Sequence, residues 1–170
     1  MKKVYGYLKR KLASPNKYAK ELGVTFGRNC IFNTKQFGSE PYLISIGDNF
    51  YSSSNVQFIT HDGSVNVLRN LYKKYANTDL FGKIIIGNNV FLGYGVAVLP
   101  NSIIGDNVIV GAGSIVKGTI KSNSVYAGVP AKYKMSIEQY LEKNKHLFSE
   151  TKSLSAKEKE NYIKNEFLIS

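Results

Sequence analysis

The sequence predicts an all-β fold, a parallel β-helix of stacked six-residue units with an α-helical extension at its C-terminal end. Three features of the 170 residues lead there. Six hexads follow one another from Ile86, a turn signal recurs in nearly every unit, and the pattern changes to helical spacing after Ser136.

The hexads read IGNNVF, LGYGVA, VLPNSI, IGDNVI, VGAGSI and VKGTIK, with no slip expected between them. Their first positions, Ile86, Leu92, Val98, Ile104, Val110 and Val116, are all aliphatic. Their fifth positions, Val90, Val96, Ser102, Val108, Ser114 and Ile120, are small or β-branched, and Gly87, Gly93, Gly105 and Gly111 hold second positions. A period of six fits neither an amphipathic helix nor a continuous strand, because turn pairs such as Gly-Asn, Gly-Asp and Pro-Asn interrupt it. A short strand, a corner and the next strand satisfy it. Positions one and five then face inward, and Gly or Asn at the corner tolerates a positive φ. Stacked coils pair their strands in parallel and bury a continuous aliphatic column.

Upstream the same register is weaker. Ile46 to Phe50, Ser52 to Val56 and Phe58 make one coil, and Phe26 to Cys30 begin an earlier one. Thr34 to Tyr42 and Asp62 to Gly82 do not thread onto hexads and are expected to be loops leaving the column. Three segments result: 1–21 as a helical docking segment, 22–134 as the β-helix with loop 62–82 inserted, and 135–170 as a helical extension. In the last, Ser136 is the expected N-cap of a helix running to about Phe148. A second helix starts near Ser155, with Glu158 at the capping-box spacing. These helices are expected to pack over an end or side of the column and close an exposed edge.

A net charge of +11 suits nucleic acid, an acidic membrane surface or a phosphorylated small molecule. The absence of zinc-finger, basic-zipper or RNP patterns argues against nucleic acid. A single cysteine, Cys30, cannot form an internal disulfide, and a reducing cytoplasmic setting is expected. No apolar window reaches a membrane span, and Val4 to Leu8 is too short for a signal-peptide core. Val4 to Leu12 reads either as a docking helix or as a basic amphipathic helix in peripheral contact with anionic lipid.

The hexads, followed by Val125-Tyr126-Ala127-Gly128-Val129-Pro130-Ala131-Lys132, resemble the left-handed β-helix acyltransferases. Those are the serine acetyltransferases, the galactoside and maltose O-acetyltransferases and the polysaccharide O-acetyltransferases. The resemblance covers about residues 22 to 135. It implies a left-handed coil of three hexads, a homotrimer with active sites between subunits, and acetyl-CoA as co-substrate with no metal.

Attack of a hydroxyl on a thioester needs a base, donors for the oxyanion and a groove for a long phosphorylated carrier. The chain has two histidines, His61 and His146. Taken alone, His61 reads as a structural histidine. The resemblance implies instead that Thr60-His61-Asp62-Gly63, at the coil before the large loop, carries the general base, with Asp62 in support. It also implies a coenzyme groove along Gly93, Tyr94, Ala112 and Gly113, with Lys117 and Lys132 meeting the phosphates. Phe91 stands where many relatives have Trp, and the usual Val-Thr-Lys is Val116-Lys117-Gly118 here, one place early for the lysine. Cys30 is expected to be buried packing rather than a nucleophile, which favours direct transfer. Loop 62–82 is expected to arch toward a neighbouring subunit and shape the acceptor pocket.

Three readings remain open from sequence. One is O-acetyl transfer to a sugar or glycan precursor, one is N-acetyl transfer to an amino sugar or other amine, and one is a non-catalytic β-helix scaffold. A carbonic anhydrase of this fold needs three histidine ligands, more than this chain has.

Overall fold

The computed structural model describes residues 12–168. Apart from Leu12, the segment read as a docking or lipid-contacting helix lies outside the described residues. The chain divides into two compact units, Met1–Ile137 and Glu138–Ser170.

The first unit is a parallel β-helix. Its strands in chain order are β1 (Thr25–Phe26), β2 (Ile31–Phe32), β3 (Ile44–Ile46), β4 (Tyr51–Ser52), β5 (Gln57–Phe58), β6 (Ile84–Ile86), β7 (Val90–Leu92) and β8 (Ala97–Val98). They continue as β9 (Ser102–Ile104), β10 (Val108–Val110), β11 (Ile115–Val116), β12 (Thr119–Ile120), β13 (Ser124–Ala127) and β14 (Lys132–Ser136). Successive strands turn a corner into the next of three sheets. The first sheet is ordered β1-β3-β6-β9-β12, the second β14-β13-β10-β7-β4-β2 and the third β11-β8-β5.

All twelve first- and fifth-position side chains of the hexads are buried, including Ser102 and Ser114. Each fully buried Val, Leu or Ile contributes roughly 1.5–3 kcal/mol. The two serines satisfy their hydroxyls by donating to Val116 O at 3.2 Å and Gly111 O at 2.6 Å. They therefore cost little as buried polar groups.

The corners divide their work between two positions. The left-handed residue is the fourth of each of the first five hexads: Asn89, Gly95, Asn101, Asn107 and Gly113 all have φ between 54° and 68°. Asn tolerates this region because its short polar side chain bonds locally. Here its amides also stack, Asn89 on Asn107 at 2.9 Å and Asn107 on Asn123 at 2.8 Å. The second-position glycines answer a different need. A Cβ at Gly87 would lie 2.5 Å from Asp106 Oδ1 and 2.9 Å from the Gly105 carbonyl carbon, so these glycines exist for the close approach of coils.

The expectation of six hexads without a slip is corrected. Coils repeat at 18 residues between Asn88 and Asp106 but at 16 between Asp106 and Ser122. The unit Val116-Lys117-Gly118-Thr119 has four residues instead of six, with its left-handed residue at Gly118, φ 80°. Ile120 thus stacks on Ile104, a first position, although the hexad count makes it a fifth.

The upstream loop is also smaller than expected. Gln36 bridges Gln57, and Thr34 and Phe37 are buried, with the Phe37 ring stacked on Phe58 at 5.6 Å. The chain leaves the column only from Gly38 to a short 3-10 turn at Pro41–Leu43. Helix α1 (Pro15–Glu21), capped by Ser14, buries Ala19 in the core. Its Asn16 amide donates to Cys30 O at 2.7 Å and accepts from Phe32 N, which satisfies part of the β2 edge. Cys30 is buried, as expected.

Loop 62–82 holds helix α2 (Val65–Leu71) and a 3-10 turn at Lys73–Tyr75. At the other end β14 returns antiparallel along β13, an element absent from the hexad reading.

In the second unit, α3 (Ile137–Asn144) runs into a 3-10 turn at Lys145–Leu147, and α4 (Ala156–Leu168) follows. The α4 start is the expected capping box. Ser155 N donates to Glu158 Oε2 at 2.8 Å and Glu158 N donates to Ser155 Oγ at 3.4 Å. Among the described residues no helix is long and apolar enough to cross a membrane.

Candidate active site

His61 follows β5 at the corner where the chain departs into loop 62–82. Its backbone is pinned to the returning chain. His61 and Phe81 form an antiparallel bridge, Asp62 N donates to Leu80 O at 2.8 Å, and Gly82 N donates to Thr60 O at 2.9 Å. The imidazole packs on the Phe81 ring at 4.7 Å and keeps 32% of its side chain exposed. Held on one side and open on the other, it can receive a proton from a bound molecule. His146 lies in the exposed 3-10 turn of the second unit.

Two carboxylates flank the ring. Glu40 Oε1 lies 3.8 Å from Nδ1, and Asp79 Oδ1 lies 3.5 Å from Nε2. Asp79 is itself paired with the Arg69 guanidinium, whose Nε donates to Thr78 O at 2.6 Å. Neither acid was singled out from sequence. Both lie in stretches where the hexad phase breaks, and only the fold returns them to His61. Asp62 instead accepts from Ser64 N at 2.9 Å. That bond, helped by the Ser64 side chain and more weakly by the charges of His61 and Lys117, holds the Asp62 carboxyl below its ordinary value. In this geometry the Asp62 carboxylate is turned to the first residues of the loop.

Lys117 is brought to the same end of the third sheet as His61. The register Phe58–Val98–Val116 puts Ile59, Leu99 and Lys117 in one row beyond the strand ends. At the other end of this sheet, before β8 and β11, lie Gly93, Tyr94, Ala112 and Gly113. Tyr94 is exposed, its hydroxyl accepts from Asn55 Nδ2 at 2.7 Å, and its carbonyl accepts from Gly113 N at 2.8 Å. A Cβ at Gly95 or Gly113 would meet nothing within 4 Å, so this corner shows bare backbone to solvent beside exposed Ala112. Gly93 is different. It is buried, and a Cβ there would lie 2.6 Å from Ala112 N, which makes it a packing glycine. Lys132 lies on β14, exposed, paired with Ala127. Among the described residues no three His, Cys, Asp or Glu side chains cluster to hold a metal ion.

Between the two ends, the third sheet turns Gln57, Ala97 and Ile115 outward, and a cleft of about 200 Å³ runs beside His61 along Gln36, Ser39, Gln57 and Ile59.

The hexads and the corner histidine are the features of a hexad-repeat β-helix protein, and similarity to known proteins gives its class. Residues 83–118 match the bacterial transferase hexapeptide family (six repeats). Protein CapG of Staphylococcus aureus is 44% identical over 170 residues, covering 98% of this chain and 96% of CapG. The galactoside O-acetyltransferase of Escherichia coli K12 is 33% identical over 126 residues, covering 74% of this chain and 58% of that enzyme. A solved galactoside acetyltransferase in complex with coenzyme A superposes with a TM-score of 0.58 at 27% identity, covering 87% of this chain and 84% of that one. The chain belongs to the hexapeptide-repeat acetyltransferase family.

Proposed function

We propose that this acetyl-CoA-dependent acetyltransferase moves an acetyl group to a hydroxyl of a sugar or glycan precursor, with His61 as general base. The observation that carries the reading is the half-exposed His61 imidazole at one end of a sheet whose other end presents bare backbone. In this mechanism the acceptor hydroxyl lies against Nε2, which takes its proton as the oxygen attacks the thioester carbonyl. The imidazolium so formed is flanked by the Glu40 and Asp79 carboxylates. It then returns the proton to the leaving thiolate. Transfer is direct, because Cys30 is buried and cannot reach an acyl donor.

The donor binds along Tyr94, Ala112 and Gly113, where small residues let pantetheine lie on the backbone, and Lys132 meets its phosphates, whereas Lys117, at the His61 end of the sheet, lies toward the reacting end instead. Gly93 holds the coils together beneath. The column is left-handed, as in relatives of this type, and assembles as a homotrimer with loop 62–82 reaching a neighbouring copy. What supports this is the exposure of Val67, Leu68 and Leu71 on α2, an apolar face in a single chain. A cytoplasmic setting goes with the donor.

The test is incubation with acetyl-CoA and a panel of free, nucleotide-linked and lipid-linked sugars, including amino sugars, read by thiol release and product mass. An acetylated product that mild alkali cleaves is expected. An alkali-stable product would replace this reading with amine acetylation, and thiol release from none of the panel would leave sugars without support.

A further inference from the structure

We propose that Glu40 is a positioning residue for His61, holding the proton on Nδ1 so that Nε2 is the basic nitrogen; this rests on His61 being the general base. Glu40 belongs to the short excursion after Phe37, and that excursion is pressed against the end of β5. Gly38 has φ 70°, and a Cβ there would lie 2.6 Å from Thr60 Oγ1 and 2.9 Å from Phe58 O.

Glu40 is then fixed at both ends. Its N–H donates to Thr60 Oγ1 at 3.2 Å. Its Oε2 accepts from Thr60 Oγ1 at 3.0 Å and from Ser39 Oγ at 2.7 Å. Thr60 is fully buried, and the Glu40 side chain keeps only 14% of its surface exposed. Two hydroxyls anchor one carboxylate oxygen, so the other, Oε1, is the atom turned to His61 Nδ1 at 3.8 Å. A carboxylate on Nδ1 selects the tautomer with its proton there. It also offsets the positive charge that develops on the ring. The 3.8 Å separation is longer than a hydrogen bond, and catalytic contacts of this kind tighten when substrate is bound.

Asp79 faces the other nitrogen and would draw the proton to Nε2, but the oxygen it turns there is the one Arg69 holds, so its charge is already paired, and Asp62 directs its carboxylate to Ser64. A purely structural Glu40 would hold the excursion to Thr60 without affecting where the imidazole proton resides.

The experiment uses full-length protein carrying His146→Gln, so that His61 gives the only ring signals, with Glu40→Ala and Glu40→Gln added in turn. Long-range proton–nitrogen NMR spectra report the tautomer, and acetyl transfer to an acceptor found in the panel reports kcat and KM. The proton is expected on Nδ1 in the parent and on Nε2 in Glu40→Ala. In that variant kcat should fall about 10- to 100-fold, with KM for acetyl-CoA unchanged. Glu40→Gln keeps an acceptor oxygen but no charge, so it should retain the tautomer and recover part of kcat. An unchanged tautomer and an unchanged kcat in Glu40→Ala overturn the proposal. Should that variant not fold, the near-isosteric Glu40→Gln decides by its kcat, and full activity overturns it. Full turnover in His61→Ala would instead remove the base itself, while the NMR readout still reports whether Glu40 orients the ring.

Discussion

Asp79 Oδ1 lies 3.5 Å from His61 Nε2 and is the same oxygen that Arg69 holds. The acidic group nearest the reacting nitrogen is thus tethered by a cation from α2, within the loop that the hexads exclude. Asp79→Asn removes the carboxylate charge beside Nε2 but keeps the shape. It should lower kcat/KM about 10-fold, measured by thiol release with a productive acceptor, with acetyl-CoA binding unchanged. An unchanged kcat/KM would mean that Asp79 serves only the loop.

Gly87 and Gly63 separate a packing glycine from a permissive one. A Cβ at Gly87 would crowd Asp106 Oδ1 at 2.5 Å and backbone at 2.9 and 3.0 Å, whereas at Gly63 it would meet nothing within 4 Å. Thermal unfolding should show Gly87→Ala destabilised by about 1–3 kcal/mol. Gly63→Ala should be unchanged or stabilised by about 0.4–1 kcal/mol, because its unfolded chain has less freedom to lose. Equal effects at the two sites would contradict the account of coil spacing.

Asp48 ties two coils together at a corner. The backbone N–H of Arg28, followed by its guanidinium, holds the Asp48 carboxyl below its ordinary value. A carboxylate whose folded pKa is lowered contributes stability above the unfolded aspartate pKa of about 3.9, and that contribution fades as pH falls toward the folded value. Melting temperatures followed from pH 6 down to about pH 3 should therefore drop more steeply for the parent than for Asp48→Asn. Parallel curves would show that this pair does not contribute.

Much of the column was legible because its lining obeys a strict count. From Ile86 to Val116, every first and fifth position is inside, and even Ser102 and Ser114 follow the count rather than their polarity. The slip at Lys117-Gly118 was not legible, because Ile120 satisfies the pattern in either register. A β-branched residue is acceptable at a first or a fifth position, and only the pairing with Ile104 decides between them.

The site was half legible. His61 stands out as one of two histidines at a break in the repeat, but Glu40 and Asp79 lie 21 and 18 residues from it in sequence, in segments without periodicity. Nothing local marks them. The Ser-Glu pair at 39–40 reads as loop polarity until Thr60 is seen accepting from Glu40 N and donating to its carboxylate, with Ser39 Oγ donating to the same oxygen.

The most direct measurement of the central claim is the initial rate of acetyl transfer by His61→Ala against the parent, with unfolding temperature and coenzyme A affinity measured on the same samples. The account predicts a loss of about 10²- to 10⁴-fold in kcat while stability and coenzyme affinity stay near the parent values. A variant that keeps the parent rate would contradict it and would move the chemistry to another residue.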